Sequence, residues 1–165
     1  MSRTFMSAGD FAFLQPIEQA WELVRDEYLA IADSSKPWRE FGLHNGGWHV
    51  LGMVLHGEKR PFFDACPATM EMLRDVPGLD IAGFSILKPG AVIKPHVGYS
   101  DRLLRAHLPL KADGLAFLDV GAERHHWKLG QFMVFDDRVR HSAANPGPLE
   151  RVVLTLDFDK TLAAR

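Results

Sequence analysis

The stretch Ile81–Lys111, IAGFSILKPGAVIKPHVGYSDRLLRAHLPLK, decides the fold class. It holds three runs of strand character, Ile81–Leu87, Ala91–Lys94 and Leu104–Lys111, and the first two are divided by Pro89-Gly90. Such turn chemistry ends a strand because proline fixes φ and removes a donor, while glycine reaches conformations that other residues avoid. The same rhythm continues through Leu115–Val120, His125–Lys128, Gln131–Phe135 and Arg151–Asp157, with Asp113-Gly114, Gly130 and Asn145-Pro146-Gly147 as separators. Upstream, Trp48–Leu55 reads as one more strand.

Ahead of these strands, Ile17, Ala20, Trp21, Val24, Tyr28 and Ile31 recur at helical spacing behind Pro16, which predicts a helix from Pro16 to about Asp33. Pro67 to Val76 reads as a shorter helix that stops before Pro77-Gly78. Between them, Ser34 to Gly47 is rich in turn residues yet carries Trp38, Phe41 and His44, and loops of that length are often functional. Seven or eight short strands behind helices predict a mainly β fold, a double-stranded β-helix (jelly-roll) with flanking N-terminal helices. Such a barrel is open at one end, and the mouth can hold a metal and a small ligand.

Global properties narrow the classes. At 165 residues the chain is expected to be one catalytic domain, 1–165. Its formal charge of −2 gives no electrostatic case for nucleic acid. Cys66 is the sole cysteine, so no intrachain disulfide forms, in keeping with a reducing compartment. The N-terminus lacks a signal-peptide core, and no run approaches the ~18 apolar residues of a membrane span. A cytoplasmic protein without membrane association is the expectation.

Five side chains then stand out: His96, Arg105, His107, His141 and Arg151. Two histidines far apart in sequence, each at a strand–loop junction, can supply two ligands to one metal. Arg105 and His107 share one face of their strand, as do Arg151, Val153 and Thr155 of the last one, because side chains alternate with a period of two. Val152, Leu154 and Leu156 fill the opposite face, so the last strand is expected to be covered on both sides. A buried guanidinium needs an anion, either a small carboxylate ligand or an aspartate or glutamate such as Glu150, Asp137 or Asp157. His44, His49, His56, His125 and His126 read as structural or surface residues. Gly98 occupies the position two after His96, where many metal sites of this kind carry Asp or Glu.

The run Phe84–Leu110, followed by WKLGQFMVFDD (Trp127–Asp137), His141 and RVVLTLDF (Arg151–Phe158), resembles the catalytic domain of the aspartyl/asparaginyl β-hydroxylase family. The resemblance covers roughly residues 46 to 158 and joins several motifs at matching separations. It implies a jelly-roll oxygenase dependent on Fe(II) and 2-oxoglutarate, with O₂ as the other reactant. By position it implies His96 and His141 as iron ligands, with Gly98 matching the family's own departure from a two-His-one-carboxylate triad. Ser85 and Arg151 match the pair that binds the distal carboxylate of 2-oxoglutarate, and His107 matches a residue contacting the cosubstrate near the metal. Arg105 matches a substrate-facing arginine, and Trp48 a pocket wall.

One departure bears on the substrate. Peptide-hydroxylating members carry a second substrate arginine two residues before the first; here that position is Leu103, with Arg102 displaced by one and so on the other face of a strand. The implied reaction is hydroxylation of a C–H bond in an acidic or amino-acid-like molecule, and a small molecule is as good a candidate as a peptide bearing a carboxylate. Two other readings use the same residues. One is an iron halogenase with a halide in the space left by Gly98. The other is a cupin-like module that binds a carboxylate or metal without turnover.

Overall fold

Antiparallel pairing divides the strands between two sheets in the computed structural model, which describes residues 3–164. In chain order the strands are β1 (Lys36–Pro37), β2 (Trp48–Leu55), β3 (Glu58–Lys59), β4 (Ile81–Leu87), β5 (Val92–His96) and β6 (Leu103–Lys111). Then follow β7 (Phe117–Val120), β8 (Glu123–His126), β9 (Met133–Phe135), β10 (His141–Ala144) and β11 (Arg151–Asp159). The larger sheet runs β1-β2-β4-β11-β6-β9, with β3 paired to β2; the smaller runs β5-β10-β7-β8.

Register decides what each face of the larger sheet does. Val153 lies opposite Ser85 and Pro109, Thr155 opposite His107, and Asp157 opposite Ile81 and Arg105. Alternation therefore puts Ser85, Leu87, Arg105, His107, Arg151, Val153 and Asp157 on one face, toward the smaller sheet. Leu87, Met133, Phe135 and Val153 on that side pack with Ile93, Leu118, Val120, Trp127 and Ala143. The opposite face, with Phe84, Ile86, Ala106, Leu108, Val152, Leu154 and Leu156, buries Leu14, Ile17, Val24, Tyr28 and Leu73 of the helical layer. The two-sided apolar pattern of the last strand thus has its cause: that strand lies between a sheet and helices.

The jelly-roll with flanking N-terminal helices is the observed architecture, and its details refine the sequence reading. The expected helix from Pro16 is two, α1 (Gln15–Gln19) and α2 (Trp21–Ile31), broken at Ala20. Tertiary anchoring explains the break. Glu18 accepts from the Phe132 amide at 2.6 Å, while the Trp21 indole lies where a Cβ on Gly130 would stand, so both sides of the break grip residues 130–132. The second helix, α3, is shorter than expected at Pro67–Leu73, and a last one, α4, spans Lys160–Ala163. The strand expected at His125–Lys128 is Glu123–His126, because the chain leaves the ladder to bury Trp127.

Residues 34–47 are pinned rather than loose. β1 pairs with β2, and buried His44 donates from Nε2 to the Trp38 carbonyl at 2.8 Å while Nδ1 accepts from the Gly46 amide at 3.0 Å. Among the described residues, no helix is long and apolar enough to cross a membrane.

Candidate active site

His96 closes β5 and His141 opens β10, and these strands place the two residues directly opposite each other. Their ring centroids are 4.3 Å apart. In each ring Nδ1 lies 2.8 Å from the carbonyl oxygen two residues earlier, Lys94 for His96 and Val139 for His141. A carbonyl only accepts, so Nδ1 carries a proton, and in the neutral ring the lone pair is left on Nε2. That arrangement, one nitrogen tied to the backbone and the other left for a cation, is how metal-binding histidines are oriented. Burial pushes His141 down to about 4, with His96 and Arg105 adding to the effect against its bond to Val139, so the ring is neutral at ordinary pH. Among the described residues no third His, Cys, Asp or Glu completes a ligand set around the pair.

Gly98 has a steric reason. Its amide donates to the Asp137 carbonyl at 2.7 Å, and a Cβ at residue 98 would overlap the Asp137 carboxylate. No side chain fits there, and the space holds a carboxylate delivered from the chain just before His141. Arg138 completes the junction by donating to the Gly98 carbonyl at 2.6 Å.

Arg151 is 2% exposed, yet its guanidinium meets no carboxylate among the described residues. Nη2 donates to the Ser85 carbonyl at 3.1 Å and to Ser85 Oγ at 2.9 Å, the guanidinium carbon lies 4.4 Å from the centre of the Trp127 ring, and Nε has no partner. Burial alone pushes the group down to about 9. Ser85 Oγ also accepts from Trp48 Nε1 at 2.9 Å; with two donors arriving, its own proton remains to be donated. His107 is buried and held well below its ordinary pKa by burial first and by Arg151 and Arg105 next. Its Nδ1 accepts from Trp127 Nε1 at 3.1 Å, so the neutral ring carries its proton on Nε2. Three unspent donors from Arg151, Ser85 and His107 thus lie on one buried face. An orphaned guanidinium nitrogen and an uncompensated buried cation fit a bound carboxylate such as 2-oxoglutarate in charge and in hydrogen bonding.

Arg105 differs. Nε and Nη2 reach the two oxygens of Asp157, both at 2.7 Å, and Asp137 lies 3.3 Å from Nη2. Burial opposes the charge, but Asp157 and then Asp137 raise Arg105 above its ordinary value. Burial likewise raises Asp137, against the pull of Arg105, with Asp157 and Asp136 pushing the same way. The geometry gives Arg105 the ion pair with an aspartate, at Nε and Nη2, and leaves the side chain 19% exposed.

The fold therefore brings Trp48, Ser85, His107 and Arg151 into one connected group, sets His96 beside His141, and places Arg105 two residues from His107 on β6 with Asp137 between it and Gly98. Trp127 escaped the sequence reading as a site residue, and Asp157 entered it only as one of three acidic partners for a buried arginine. Trp127 was quoted only within a motif, although a Trp bounded by Lys128 and Gly130 beside a strand end was a visible signal. Asp157 continues the period of two from Arg151, Val153 and Thr155, so its face was deducible. A separate groove of about 640 Å³ beside Arg3, Met6, Leu104, Gly121, Asp136 and Val139 contains none of the expected site residues.

Comparison with known proteins follows the same lines. Residues 18–161 match the profile of the family described as Aspartyl/Asparaginyl beta-hydroxylase. The chain is 40% identical over 117 residues to the ornithine lipid ester-linked acyl 2-hydroxylase of Rhizobium tropici, covering 68% of this chain and 41% of that protein. It is 33% identical over 143 residues to human aspartate beta-hydroxylase domain-containing protein 2, covering 79% of this chain and 39% of that protein. The chain thus spans about two fifths of the length of these curated relatives. Its fold is similar to that of a Pseudomonas putida prolyl-4-hydroxylase, with a TM-score of 0.62 at 18% identity over 96% of this chain and 93% of the other. With a profile match over most of its length and a relative at 40% identity, the chain belongs to the aspartyl/asparaginyl beta-hydroxylase family.

Proposed function

We propose that this chain is an Fe(II)- and 2-oxoglutarate-dependent hydroxylase acting on an amino-acid-like molecule or on a larger substrate that carries such a group. The observation that supports it best is the pairing of two features in one interior. Two opposed histidines have Nδ1 tied to the backbone and Nε2 left for a metal, and a buried arginine on the facing sheet lacks an anion. When bound, iron(II) and 2-oxoglutarate supply the oxidation: O₂ is consumed, the cosubstrate leaves as succinate and CO₂, and one oxygen atom enters a substrate C–H bond.

The chain's own residues bind and orient. His96 and His141 hold the metal, each ring fixed by its backbone carbonyl. Arg151 and Ser85 take the distal carboxylate, and Trp48 and Trp127 set the position of both groups. His107, kept neutral and locked by Trp127, donates from Nε2. Leu87, Met133, Phe135 and Val153 wall the interior against water. A halide at the space left by Gly98 would meet the Asp137 carboxylate, which disfavours chlorination. Cytoplasmic operation with no membrane or nucleic-acid partner is part of the same proposal.

The test is an anaerobic titration of metal-free protein with Fe(II) and then 2-oxoglutarate. A visible metal-to-ligand charge-transfer band is expected in wild type and is expected to be missing in His96→Ala. A wild type that shows no band with both components saturating contradicts the reading and leaves the cupin-like binding module in its place.

A further inference from the structure

Tyr99 lies three residues after His96, on the segment 97–102 that carries the chain from β5 of the smaller sheet to β6 of the larger one and leads into Arg105. Ties to three other elements hold this crossing in place. The Gly98 amide donates to the Asp137 carbonyl at 2.7 Å, the Lys160 amide donates to the Arg102 carbonyl at 2.9 Å, and the Tyr99 hydroxyl donates to Asp80 Oδ2. The anchor of the third tie is rigid. Asp80 gives its amide to the Asp157 carbonyl at 2.8 Å and accepts at its own carbonyl from the Gly57 amide at 3.1 Å.

A strained histidine reinforces the tie. His56 Nδ1, 3.3 Å from the same Oδ2, donates to it as well, and the His56 ring stands edge-on to Tyr99 with centroids 5.2 Å apart. Among the described residues His56 is the one non-glycine residue in the left-handed region, with φ at 51°. With Gly57 it forms the two-residue turn between β2 and β3, where asparagine, aspartate or glycine is the usual choice. Backbone strain accepted at a turn whose side chain joins the Tyr99 latch points to a function for that latch.

The latch fixes where the ring stands. Asp157, whose carbonyl holds the Asp80 amide, is also the residue whose carboxylate holds Arg105. The Tyr99 hydroxyl is near enough to feel both charges; burial first and Asp80 next push it up, so it stays protonated and donating. Arg105 keeps Nη1 without a partner among the described residues, and its side chain is 19% exposed, so the interior is open at this point. A pinned phenol ring beside the opening selects by exclusion, because a bulky group must break the latch to enter. We infer that Tyr99 is a specificity-determining residue: latched to Asp80, its ring walls the opening beside Arg105, admitting slim chain ends and excluding bulky aromatic ones. As a statement about substrate this rests on the proposed function, but the wall itself is testable without metal or cosubstrate.

Metal-free protein is labelled with methylglyoxal, a slim arginine reagent, and with phenylglyoxal, a bulky one. Adducts at Arg105 are followed by peptide mass spectrometry against exposed Arg39. Tyr99→Ala is expected to speed phenylglyoxal at Arg105 by about tenfold and methylglyoxal by no more than about threefold, with Tyr99→Phe, which keeps the ring but not the latch, in between. Equal phenylglyoxal rates in wild type and Tyr99→Ala overturn the inference, and so does an Arg105 that neither reagent reaches in either protein. Tyr99 is 55% exposed, so Tyr99→Ala is expected to fold; if its unfolding midpoint collapses, Tyr99→Phe decides by the same comparison. Selection is then read on protein loaded with Mn(II) and 2-oxoglutarate, from paramagnetic broadening of acetate and 2-naphthoate protons. Tyr99→Ala is expected to gain about tenfold for naphthoate over acetate, although it has lost a ring to stack on, and no gain overturns the inference. A wild type that fails to load bears on the proposed function alone, since the labelling rates still report on the wall.

Discussion

Arg151 and Arg105 lie on the same face of the same sheet, and each is largely taken out of water, yet they are opposite electrostatic cases. Arg105 has its counter-charges built in, with Asp157 held bidentately and Asp137 beside it. Arg151 has a serine, an indole face and an orphaned nitrogen. Burial without an anion pushes Arg151 down to about 9, whereas two carboxylates raise Arg105 despite its burial. A completed ion pair has its counter-charge within the fold, and removing one partner strands the other. An uncompensated cation costs stability and is open to an anionic ligand. Strand register makes the difference: Asp157 lies opposite Arg105, while the residue opposite Arg151 is Leu87.

Stability should separate the two arginines most sharply. Arg105→Met leaves Asp157 and Asp137 buried without their cation and is expected to cost about 3–5 kcal/mol in denaturant unfolding. Arg151→Met removes a charge that has no partner, so its unfolding midpoint is expected to match or exceed that of wild type. Equal losses in both variants would erase the contrast. Next in size, Gly98→Ala forces the Asp137 carboxylate away from the junction at an expected cost of about 1–3 kcal/mol. Iron titration of that variant should show weaker binding, because the turn carrying His141 shifts with it.

Smaller effects refine each end. Trp48→Phe keeps an aromatic ring, though a smaller one, and deletes the N–H that Ser85 accepts, a loss of about 1 kcal/mol from the hydrogen bond. By calorimetry 2-oxoglutarate should bind this variant about fivefold more weakly, and unchanged affinity would remove Trp48 from the cradle. The smallest concerns Asp159, lowered to about 2 by the Thr161 hydroxyl first, with the Thr161 amide and Arg102 assisting. A depressed carboxylate contributes stability that is complete above its unfolded pKa of about 3.9 and is lost as pH falls through the folded value. Acid unfolding curves of wild type and Asp159→Asn should therefore converge between about pH 4 and 2.

The legible parts of this molecule were those with period. Trp48–Leu55, Ile81–Leu87 and the strand starting at Arg151 announce themselves by branched apolar residues between turns, and the site residues on them inherit their faces from alternation. β10 was illegible because His-Ser-Ala-Ala has no apolar alternation; only pairing with β5 and β7 makes it a strand. The break at Ala20 was hidden for a similar reason, since its cause is residues 130–132, more than a hundred positions away. The histidine pair and the Ser85–Arg151 pair were reachable from motifs. The acidic partner of Arg105 was not settled by them, because choosing among Glu150, Asp137 and Asp157 requires knowing which residue lies opposite.

The most direct measurement is calorimetric titration of 2-oxoglutarate into Mn(II)-loaded wild type, Arg151→Met and Arg105→Met. Arg151→Met is expected to weaken binding by about a hundredfold or more, and Arg105→Met by no more than about threefold where the protein is folded. An Arg151→Met protein that binds 2-oxoglutarate as wild type does would contradict the account, because the uncompensated cation would then have some other purpose.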